Sequence, residues 1–234
     1  MLVTYLIPVY NENNHVQKAI QDAINLKIKK KEILIIDNGS CDGSQDVIKK
    51  FRNYKNVKII LRKKNLGYGA TLRQGTKLAK GKYIYIHYSD NEYDIKTSVK
   101  MLDIEIKRDL DVVFASRLLK KLKSENFFII ILNRPFYLGS IILTNVINFL
   151  YKKKFTDIIG TKLYKKSSVI NKLPKKKGLS FDLEFDAILC SKIFKSEEVF
   201  IKYEERKNFY EKKLKWWHIF LFLIGIVKVR FFYS

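Results

Sequence analysis

The chain has 234 residues, 47% of them hydrophobic, which is enough to bury the core of one large domain. Its 46 Lys and Arg residues outnumber 23 Asp and Glu residues, and the formal charge of +23 favours anionic partners such as phosphorylated substrates, anionic lipid or nucleic acid. The two cysteines, Cys41 and Cys190, exclude a disulfide framework and a cysteine-based metal site, and no nucleic-acid-binding motif is present.

The first half of the chain alternates apolar, strand-like runs with helix-like segments. Strands are predicted over residues 3–7, 31–37, 57–61, 82–87 and 111–115. Helices are predicted over residues 14–26, 42–51, 67–80 and 96–107. This alternation indicates an α/β fold, with a mostly parallel sheet, right-handed crossovers and flanking helices. The strand ends at Pro8, Asp37, Tyr88 and Arg117 would then gather at one edge, where ligands bind in open α/β sheets.

A cluster of carboxylates follows the predicted strand at 82–87. Asp90, Glu92 and Asp94 lie at alternating positions, and in an extended segment such side chains share one face. Carboxylate oxygens grouped in this way suit Mg²⁺ or Mn²⁺, and such a cation would in turn suit a diphosphate. The alternative interpretation is a solvated acidic loop after a strand.

Two strongly apolar segments distinguish the second half of the chain. Residues 136–151 carry a narrow polar stripe of Ser140, Thr144 and Asn148 at helical spacing, and the tail at 214–230 is also mostly apolar. A helix over 136–151 would be roughly 24 Å long, short of the roughly 30 Å hydrocarbon core of a bilayer. We therefore expect core helices or helices at a membrane interface.

The tail also suggests where the protein resides. Trp216 and Trp217 follow three lysines, and aromatic residues beside cations are typical of a helix at the membrane surface. A helix packed on the sheet, or a short span completed by a partner, are the alternatives. Because the N-terminus lacks a basic stretch before a cleavable apolar segment, we expect no signal peptide and a cytoplasmic, peripherally membrane-associated protein.

Five segments carry recognisable motifs. They are Ile-Pro-Val-Tyr-Asn-Glu at 7–12, Asp-Asn-Gly-Ser-Cys-Asp-Gly-Ser at 37–44, Asn-Leu-Gly-Tyr-Gly at 65–69, Tyr-Ser-Asp-Asn-Glu-Tyr-Asp at 88–94 and Phe-Asp-Leu-Glu at 181–184. Together they resemble family 2 glycosyltransferases of the GT-A (Rossmann-like) fold, most of all the dolichol-phosphate mannose synthases and related polyprenyl-phosphate glycosyltransferases. The resemblance implies a GT-A domain over 1–205, divided into a nucleotide-sugar half at 1–118 and an acceptor half at 119–205, and then a basic loop and apolar helix at 206–234.

The resemblance also implies which residues bind the nucleotide sugar and the cation. The donor-binding residues would be Pro8, Tyr10, Glu12, Asp37, Asn38, Asn65, Gly67 and Gly69. The two glycines would allow close backbone approach, and the helix that they open would favour an anion at its N-terminus. Asp90 and Glu92 would hold Mg²⁺ or Mn²⁺, although Tyr88 replaces the family's first aspartate and Asn38 replaces its second Asp in the Asp-Asp-Gly-Ser motif.

Further residues are expected at the leaving group and on the acceptor side. Arg117 and Arg206 would assist departure of the diphosphate, and Asp94 is a candidate general base. The acceptor-side residues implied by the resemblance are Arg134, Asp157, Lys162 and Glu184. Simpler interpretations exist for four of these residues: Arg117 could pair with a nearby aspartate at 109 or 111, Arg206 could be a surface cation, Asp157 could cap a turn, and Glu184 could be a solvated helix residue.

The resemblance implies a metal-dependent inverting transferase that moves a sugar from a nucleotide sugar to dolichyl or undecaprenyl phosphate at the cytoplasmic membrane face. Its expected partners are the donor, the polyprenyl phosphate or a glycan acceptor, and anionic lipid, with no nucleic acid. The alternatives are a family 2 transferase that acts on a saccharide in cell-surface glycan synthesis, and a catalytically degenerate sugar-nucleotide binder, which the replacements at Tyr88 and Asn38 leave open.

Overall fold

The computed structural model describes residues 2–124, 132, 136–178, 180–204 and 218–232 of the chain. Two of the predicted site residues, Arg134 and Arg206, lie outside these residues, as does the aromatic pair Trp216 and Trp217. Their predicted roles therefore stay predictions.

One sheet of seven strands organises the described residues. The strands are β1 (Val3–Val9), β2 (Lys31–Asp37), β3 (Val57–Leu61), β4 (Tyr83–Ile86), β5 (Val112–Ser116), β6 (Lys162–Lys165) and β7 (Ser196–Phe200). Their order across the sheet is β3-β2-β1-β4-β6-β5-β7. Strand β6 runs antiparallel to β4 and β5, and the other neighbouring pairs are parallel. The predicted α/β fold with a mostly parallel sheet is confirmed.

Helices connect the strands. They are α1 (Asn13–Asn25), α2 (Ser44–Lys49), α3 (Tyr68–Leu78), α4 (Thr97–Arg108), α5 (Lys121–Ser124), α6 (Phe136–Tyr151), α7 (Lys166–Val169), α8 (Ser180–Leu189) and α9 (His218–Phe232). Every strand and helix predicted for the first half is present, with ends within two residues of the prediction. Strands β6 and β7 and helix α8 were not predicted, because these short elements lack a clear period of two or 3.6.

The sheet is sandwiched between two layers of helices. Alternate residues of the strands point to opposite faces, so that Tyr5 and Ile7 of β1 join one core cluster while Leu6 joins the other. The first cluster also contains buried residues of α1, α2 and α4, and the second contains buried residues of α3, α6, α8 and α9. The predicted C-terminal helix is thus present as α9, which packs against α8 and α6.

The apolar helices are too short or too polar to be membrane spans within the described part of the chain, where no helix meets both the length and the hydropathy needed to cross a bilayer. Helix α9 contributes Phe222 and Ile226 to the same core as α6 and α8. The predicted division of the chain after residue 205 stays a prediction.

A buried carboxyl group interrupts the apolar packing beneath α4. Glu105 is fully buried, and within the described residues neither of its carboxylate oxygens has a hydrogen-bond partner. Burial and, to a lesser extent, the nearby Asp111 raise the pKa of this carboxyl to about 9, against the opposing effect of Lys165 and Lys82. The folded protein therefore holds a proton on Glu105 at neutral pH, whereas the unfolded chain does not.

This proton should make stability depend on pH. Between the unfolded pKa, roughly 4.3, and the folded pKa of about 9, the folded state binds one more proton, so stability falls as pH rises by up to about 1.4 kcal/mol per pH unit. Glu105→Gln, which cannot ionise, should remove this slope. Urea unfolding at pH 5, 6.5 and 8 checks the prediction, and equal slopes for both proteins would contradict it.

Candidate active site at the carboxyl ends of the strands

The ends of β1 and β2 bring the first two predicted motifs together. Val9 lies opposite Asp37 in the register of the two strands, and the amide of Asn38 donates a hydrogen bond to the carbonyl of Val9 at 2.8 Å. Tyr10 and Glu12 follow β1, and the amide of Glu12 donates to the hydroxyl of Ser44 at the start of α2 at 2.9 Å. The residues expected to border the nucleotide therefore lie on adjoining loops at one edge of the sheet.

The carboxylate of Asp37 folds its own loop. It is fully buried, and its Oδ1 accepts hydrogen bonds from the amides of Gly39 and Ser40 at 3.0 and 3.1 Å and from Nε2 of Gln45 at 2.6 Å. The Ser40 hydroxyl donates to its other oxygen. Asp37 therefore shapes the loop that would face a nucleotide, and its direct contact with one stays a prediction.

Asn38 links this loop to the glycine-rich motif. Its Nδ2 donates to Oδ1 of Asn65 at 2.8 Å, and that same oxygen accepts from the amide of Gly67 at 2.7 Å. Its Oδ1 accepts from Nη1 of Arg62 at 2.7 Å and from the amide of Leu66 at 3.1 Å. An aspartate, which is acceptor-only when ionised, could not donate to Asn65. The amide at position 38 is therefore suited to its neighbours.

The sequence analysis missed Arg62, which follows β3. Besides its bond to Asn38, its guanidinium donates to the hydroxyl of Thr71 at 2.9 Å and to Oε1 of Gln74, both on α3. Burial lowers the pKa of Arg62. The signal in the sequence was an arginine directly after a predicted strand. Its partners lie on other parts of the chain, so the local sequence pattern does not reveal them.

The glycines that open α3 make room for the chain itself. Gly67 has a φ of +90°, and a Cβ there would lie 2.2 Å from the carbonyl oxygen of Lys177. A Cβ on Gly69 would lie 2.4 Å from Cβ of Phe181, and the Gly69 amide donates to the Lys177 carbonyl at 2.8 Å. The Lys177 carbonyl thus accepts from the first turn of this helix, and the anion expected at its N-terminus stays a prediction. The nucleotide contacts of both glycines stay predictions.

The acidic segment after β4 does not have the extended backbone that the sequence analysis assumed. Asn91 has a φ of 59°, which interrupts the alternation of side chains between Asp90 and Asp94. Oδ1 of Asp90 accepts from the amide of Glu92 at 3.2 Å, and Oε2 of Glu92 accepts from the Tyr203 hydroxyl at 2.8 Å. Asp94 instead shapes the turn into α4, where its Oδ1 accepts from a backbone amide at 3.0 Å.

The carboxylates of this segment fit a divalent cation only in part. Within the described residues no group of three or more His, Cys, Asp or Glu side chains is arranged to hold a metal. Asp90 and Glu92 lie on one short loop, and Mg²⁺ commonly takes one or two carboxylates, with phosphate oxygens and water completing its shell. The donor set therefore fits a cation that arrives with a diphosphate.

Tyr88, at the position of the expected first carboxylate, joins a buried polar network. Its hydroxyl accepts from the Tyr68 hydroxyl and donates to Oδ2 of Asp182, both at 3.2 Å. Nζ of Lys162 donates to the other oxygen of Asp182 at 2.8 Å and to Asp186. Burial acts to lower the pKa of Lys162, but the two carboxylates outweigh it and raise that pKa. The ammonium therefore stays charged and fixes Asp182 beside the acidic segment.

On α8 it is Asp182 that contacts Tyr88 of the acidic segment, whereas the acceptor-side role predicted for Glu184 stays a prediction. Residues 182 and 186 share one face of the helix, and Glu184 lies on another. Its side chain is buried against α9, where a Cβ on Gly225 would lie 3.2 Å from its Cγ, and burial raises its pKa. The interpretation of Glu184 as a solvated helix residue was wrong.

Arg117 and Asp157 form a buried ion pair. Nε and Nη2 of Arg117 donate to the two carboxylate oxygens of Asp157 at 2.7 and 3.0 Å, and the Ser140 hydroxyl donates to Oδ1 at 2.6 Å. Burial acts to raise the pKa of the Asp157 carboxyl, but the adjacent Arg117 outweighs this effect and holds that pKa below its usual range. The suggested pairing of Arg117 with an aspartate at 109 or 111 was wrong. Asp157 also accepts from the amide of Ile159 at 3.2 Å, as a turn-forming residue does.

Comparisons with known proteins show the family to which the chain belongs. Residues 4–171 match the protein family described as Glycosyl transferase family 2. The chain belongs to this family. The matched residues include β1 from its second residue, all of β2 to β6 and the site loops between them. Helix α8 and the residues after it lie outside the match.

Two curated proteins resemble about half of this family 2 chain. A cholesterol galactosyltransferase of Borreliella burgdorferi is 30% identical over 115 residues, which is 49% of this chain and 32% of that protein. An abequosyltransferase of Salmonella typhimurium, RfbV, is 32% identical over 124 residues, which is 50% of this chain and 36% of that protein. The alignments thus span about a third of the length of these relatives.

Solved structures share the fold over nearly the whole chain. Glucosyl-3-phosphoglycerate synthase of M. tuberculosis superposes with a TM-score of 0.68 at 11% identity, covering 98% of this chain and 80% of that one. S. aureus TarS superposes with a TM-score of 0.61 at 16% identity, covering 100% of this chain and 73% of that one. At such identities the likeness establishes the GT-A fold.

The close approach of residues 176–178 to α3 gives a test of the glycine-rich motif. Gly69→Ala places a methyl group against Phe181, so the free energy of unfolding should fall by about 1–3 kcal/mol. Gly178→Ala is the matched control, because a Cβ there meets nothing within 4 Å, and it should change stability by less than about 0.5 kcal/mol. Urea unfolding measures both, and equal losses would contradict the packing of this segment on α3.

Proposed function

We propose that this family 2 chain transfers a sugar from a nucleotide sugar to a polyprenyl phosphate at the cytoplasmic face of a membrane, with inversion at the anomeric carbon. The observation that carries the proposal is the meeting of three loops, at 8–12, 37–40 and 88–94, with Asp182 at the carboxyl edge of the sheet. Solved neighbours described as complexes with UDP, UDP-GlcNAc or GDP-Man and Mn²⁺ support a nucleotide-sugar donor.

Asp90 and Glu92 are the residues that would hold Mg²⁺ or Mn²⁺. When bound, such a cation supplies positive charge beside the departing diphosphate. The Tyr203 hydroxyl donates to Glu92 and fixes that side chain. A mycobacterial neighbour described with Mn²⁺ and UDP supports this assignment.

The acceptor decides whether the enzyme needs a general base. A polyprenyl phosphate is already an anion near neutral pH, so it can attack the anomeric carbon without losing a proton. In that case Lys162 and Tyr88 keep the Asp182 side chain oriented. The ion pair of Arg117 and Asp157 stabilises the side of the site next to α6. A relative described as a cholesterol galactosyltransferase supports a lipid acceptor.

A saccharide acceptor is the second candidate, and the placement of Asp182 is the observation that favours it. A sugar hydroxyl must give up its proton as it attacks, and a carboxylate held between Lys162 and the Tyr88 hydroxyl is positioned to take it. A relative described as a poly-beta-1,6-N-acetyl-D-glucosamine synthase supports this reading.

Replacing Asp182 separates the two acceptors. With polyprenyl phosphate, Asp182→Asn should lower kcat by less than about tenfold, because no base is required, whereas with a saccharide acceptor the loss should be about 10²–10⁴-fold. Glu184→Gln, on the face of α8 toward α9, is the control and should change little with either acceptor. Radiolabelled donors sorted by organic extraction measure both. Wild-type protein that forms no lipid-soluble product with any donor of a UDP- and GDP-sugar panel contradicts the first proposal.

Turnover that depends on the acidic loop would exclude a catalytically silent binder. Asp90→Ala should reduce transfer in the presence of Mn²⁺ by about 10²-fold or more, because the developing charge on the diphosphate loses its counter-charge. Asp94→Ser is the comparison, since serine can also accept a backbone amide at the start of α4, and it should stay within a few-fold of wild type. Equal activity of Asp90→Ala and wild type would remove the acidic loop from the mechanism.

A further inference from the structure

Helix α6 buries a polar stripe together with apolar residues such as Leu143 and Ile147. Its polar stripe faces inward, where the Ser140 hydroxyl donates to Asp157 at 2.6 Å and Nδ2 of Asn148 donates to the carbonyl of Phe155 at 2.8 Å. Thr144, between them, is buried as well. These bonds fasten the 155–158 loop, which carries the carboxylate paired with Arg117.

The outer face of α6 is exposed and mostly apolar, with Asn145 as the polar side chain between Ile142 and Phe149. Leu138, Ile142 and Phe149 lie on one side of the helix, opposite the buried Leu143 and Ile147, and Phe149 is 84% exposed. A helix of a water-facing surface carries polar residues at such positions. The sequence analysis noticed the polar stripe of α6 but not that it points toward the protein.

Helix α9 also exposes an apolar stripe, although its buried side is apolar as well. Phe222, Ile226 and Val229 face the core that α6 and α8 share. On the opposite side, at the spacing i, i+4, i+7 and i+11, four apolar side chains are exposed, and Phe231 is 73% exposed. These four residues are Phe220, Ile224, Val227 and Phe231.

The two apolar stripes belong to neighbouring helices that bury their other sides in one core cluster. Exposed cations border them. Lys228 and Arg230 lie on either flank of the α9 stripe, and Lys152 and Lys154 follow the last residue of α6. Apolar side chains flanked by cations are typical of helices that lie along an anionic membrane surface, where the cations reach the headgroups.

We propose that the outer stripes of α6 and α9, here named the α6–α9 face, dock the protein on an anionic lipid bilayer. A second copy of the chain is a poorer occupant, because it would bring the flanking cations of two molecules with a formal charge of +23 each into apposition. Anionic headgroups complement the same cations. The α6–α9 face thus has the chemistry of a lipid surface at both its apolar centre and its charged border.

Docking would also place the acceptor side of the site at the membrane. One face of α6 would contact lipid, and Ser140 on its opposite face contacts both Arg117 and Asp157. Only the thickness of one helix, roughly 10 Å, would therefore separate the bilayer from this ion pair. A lipid-linked acceptor could then enter without leaving the membrane. This part of the inference rests on the proposed function, whereas bilayer binding itself does not.

Vesicle flotation of the full chain, without donor or acceptor, tests the docking. We expect wild-type protein to float with vesicles of equal parts phosphatidylcholine and phosphatidylglycerol, and to bind pure phosphatidylcholine far less. The double variant Phe149→Glu and Phe220→Glu should bind the anionic vesicles about tenfold more weakly or worse. Ile106→Glu is the matched control, because Ile106 is an exposed apolar residue of α4 on the other side of the sheet, and it should bind as wild type does.

Circular dichroism of each variant establishes that it is folded before flotation is compared. Wild-type protein that floats with neither kind of vesicle, or a double variant that floats as well as wild type, overturns the proposal. Sedimentation velocity adds a further outcome: a dimer that the double variant loses, without any vesicle binding by wild type, would assign the face to a second copy. Transfer activity is not read in these experiments, so their failure leaves the proposed transfer reaction standing and removes only its placement at the membrane.

Discussion

Parallel pairing of β1 with both β2 and β4 is the constraint on which the candidate site depends. The pairing aligns Val9 with Asp37 and Leu6 with Ile86, so the chain leaves three neighbouring strands at the same edge. The loops that follow carry the motifs of residues 8–12, 37–44 and 88–94. No local feature of those loops would bring them together without the apolar strands beneath, which are buried on both faces.

A buried ammonium joins this edge to the second half of the chain. Lys162 enters the sheet on the antiparallel strand β6, between β4 and β5, and is fully buried. An unpaired charge at that depth would be strongly unfavourable, so α8 must present carboxylates to it, and Asp182 and Asp186 do so. That requirement fixes the rotation of α8. Asp182 then reaches Tyr88, while Glu184 turns toward α9.

The first half of the fold could be predicted because its signals are local. Each strand or helix there has a period or a glycine boundary that a short window of sequence contains. Strand β6 could not be recognised in this way, because Lys162 at its start is buried only through partners twenty or more residues away. The same holds for Arg62, whose partners lie on β2 and α3, and for the choice between Asp182 and Glu184.

The apolar helices show a further limit of pattern reasoning. The stripe of Ser140, Thr144 and Asn148 was visible in the sequence, but a stripe does not say which side of it faces the protein. Only the partners at Phe155 and Asp157 decide that the polar side is inside. The match over residues 4–171 confirms the predicted membership of glycosyl transferase family 2, whereas the closer resemblance to dolichol-phosphate mannose synthases and the roles assigned to the motif residues stay predictions.

Calorimetric titration of nucleoside diphosphates, with and without Mn²⁺, tests most directly whether the edge formed by β1, β2 and β4 is the donor site. UDP or GDP should bind wild-type protein more tightly when Mn²⁺ is present, and Asp90→Ala should lose that increment while keeping the metal-independent binding. A nucleotide affinity that is the same with and without Mn²⁺ in both proteins, or no nucleotide binding by wild type, would contradict the assignment of this edge.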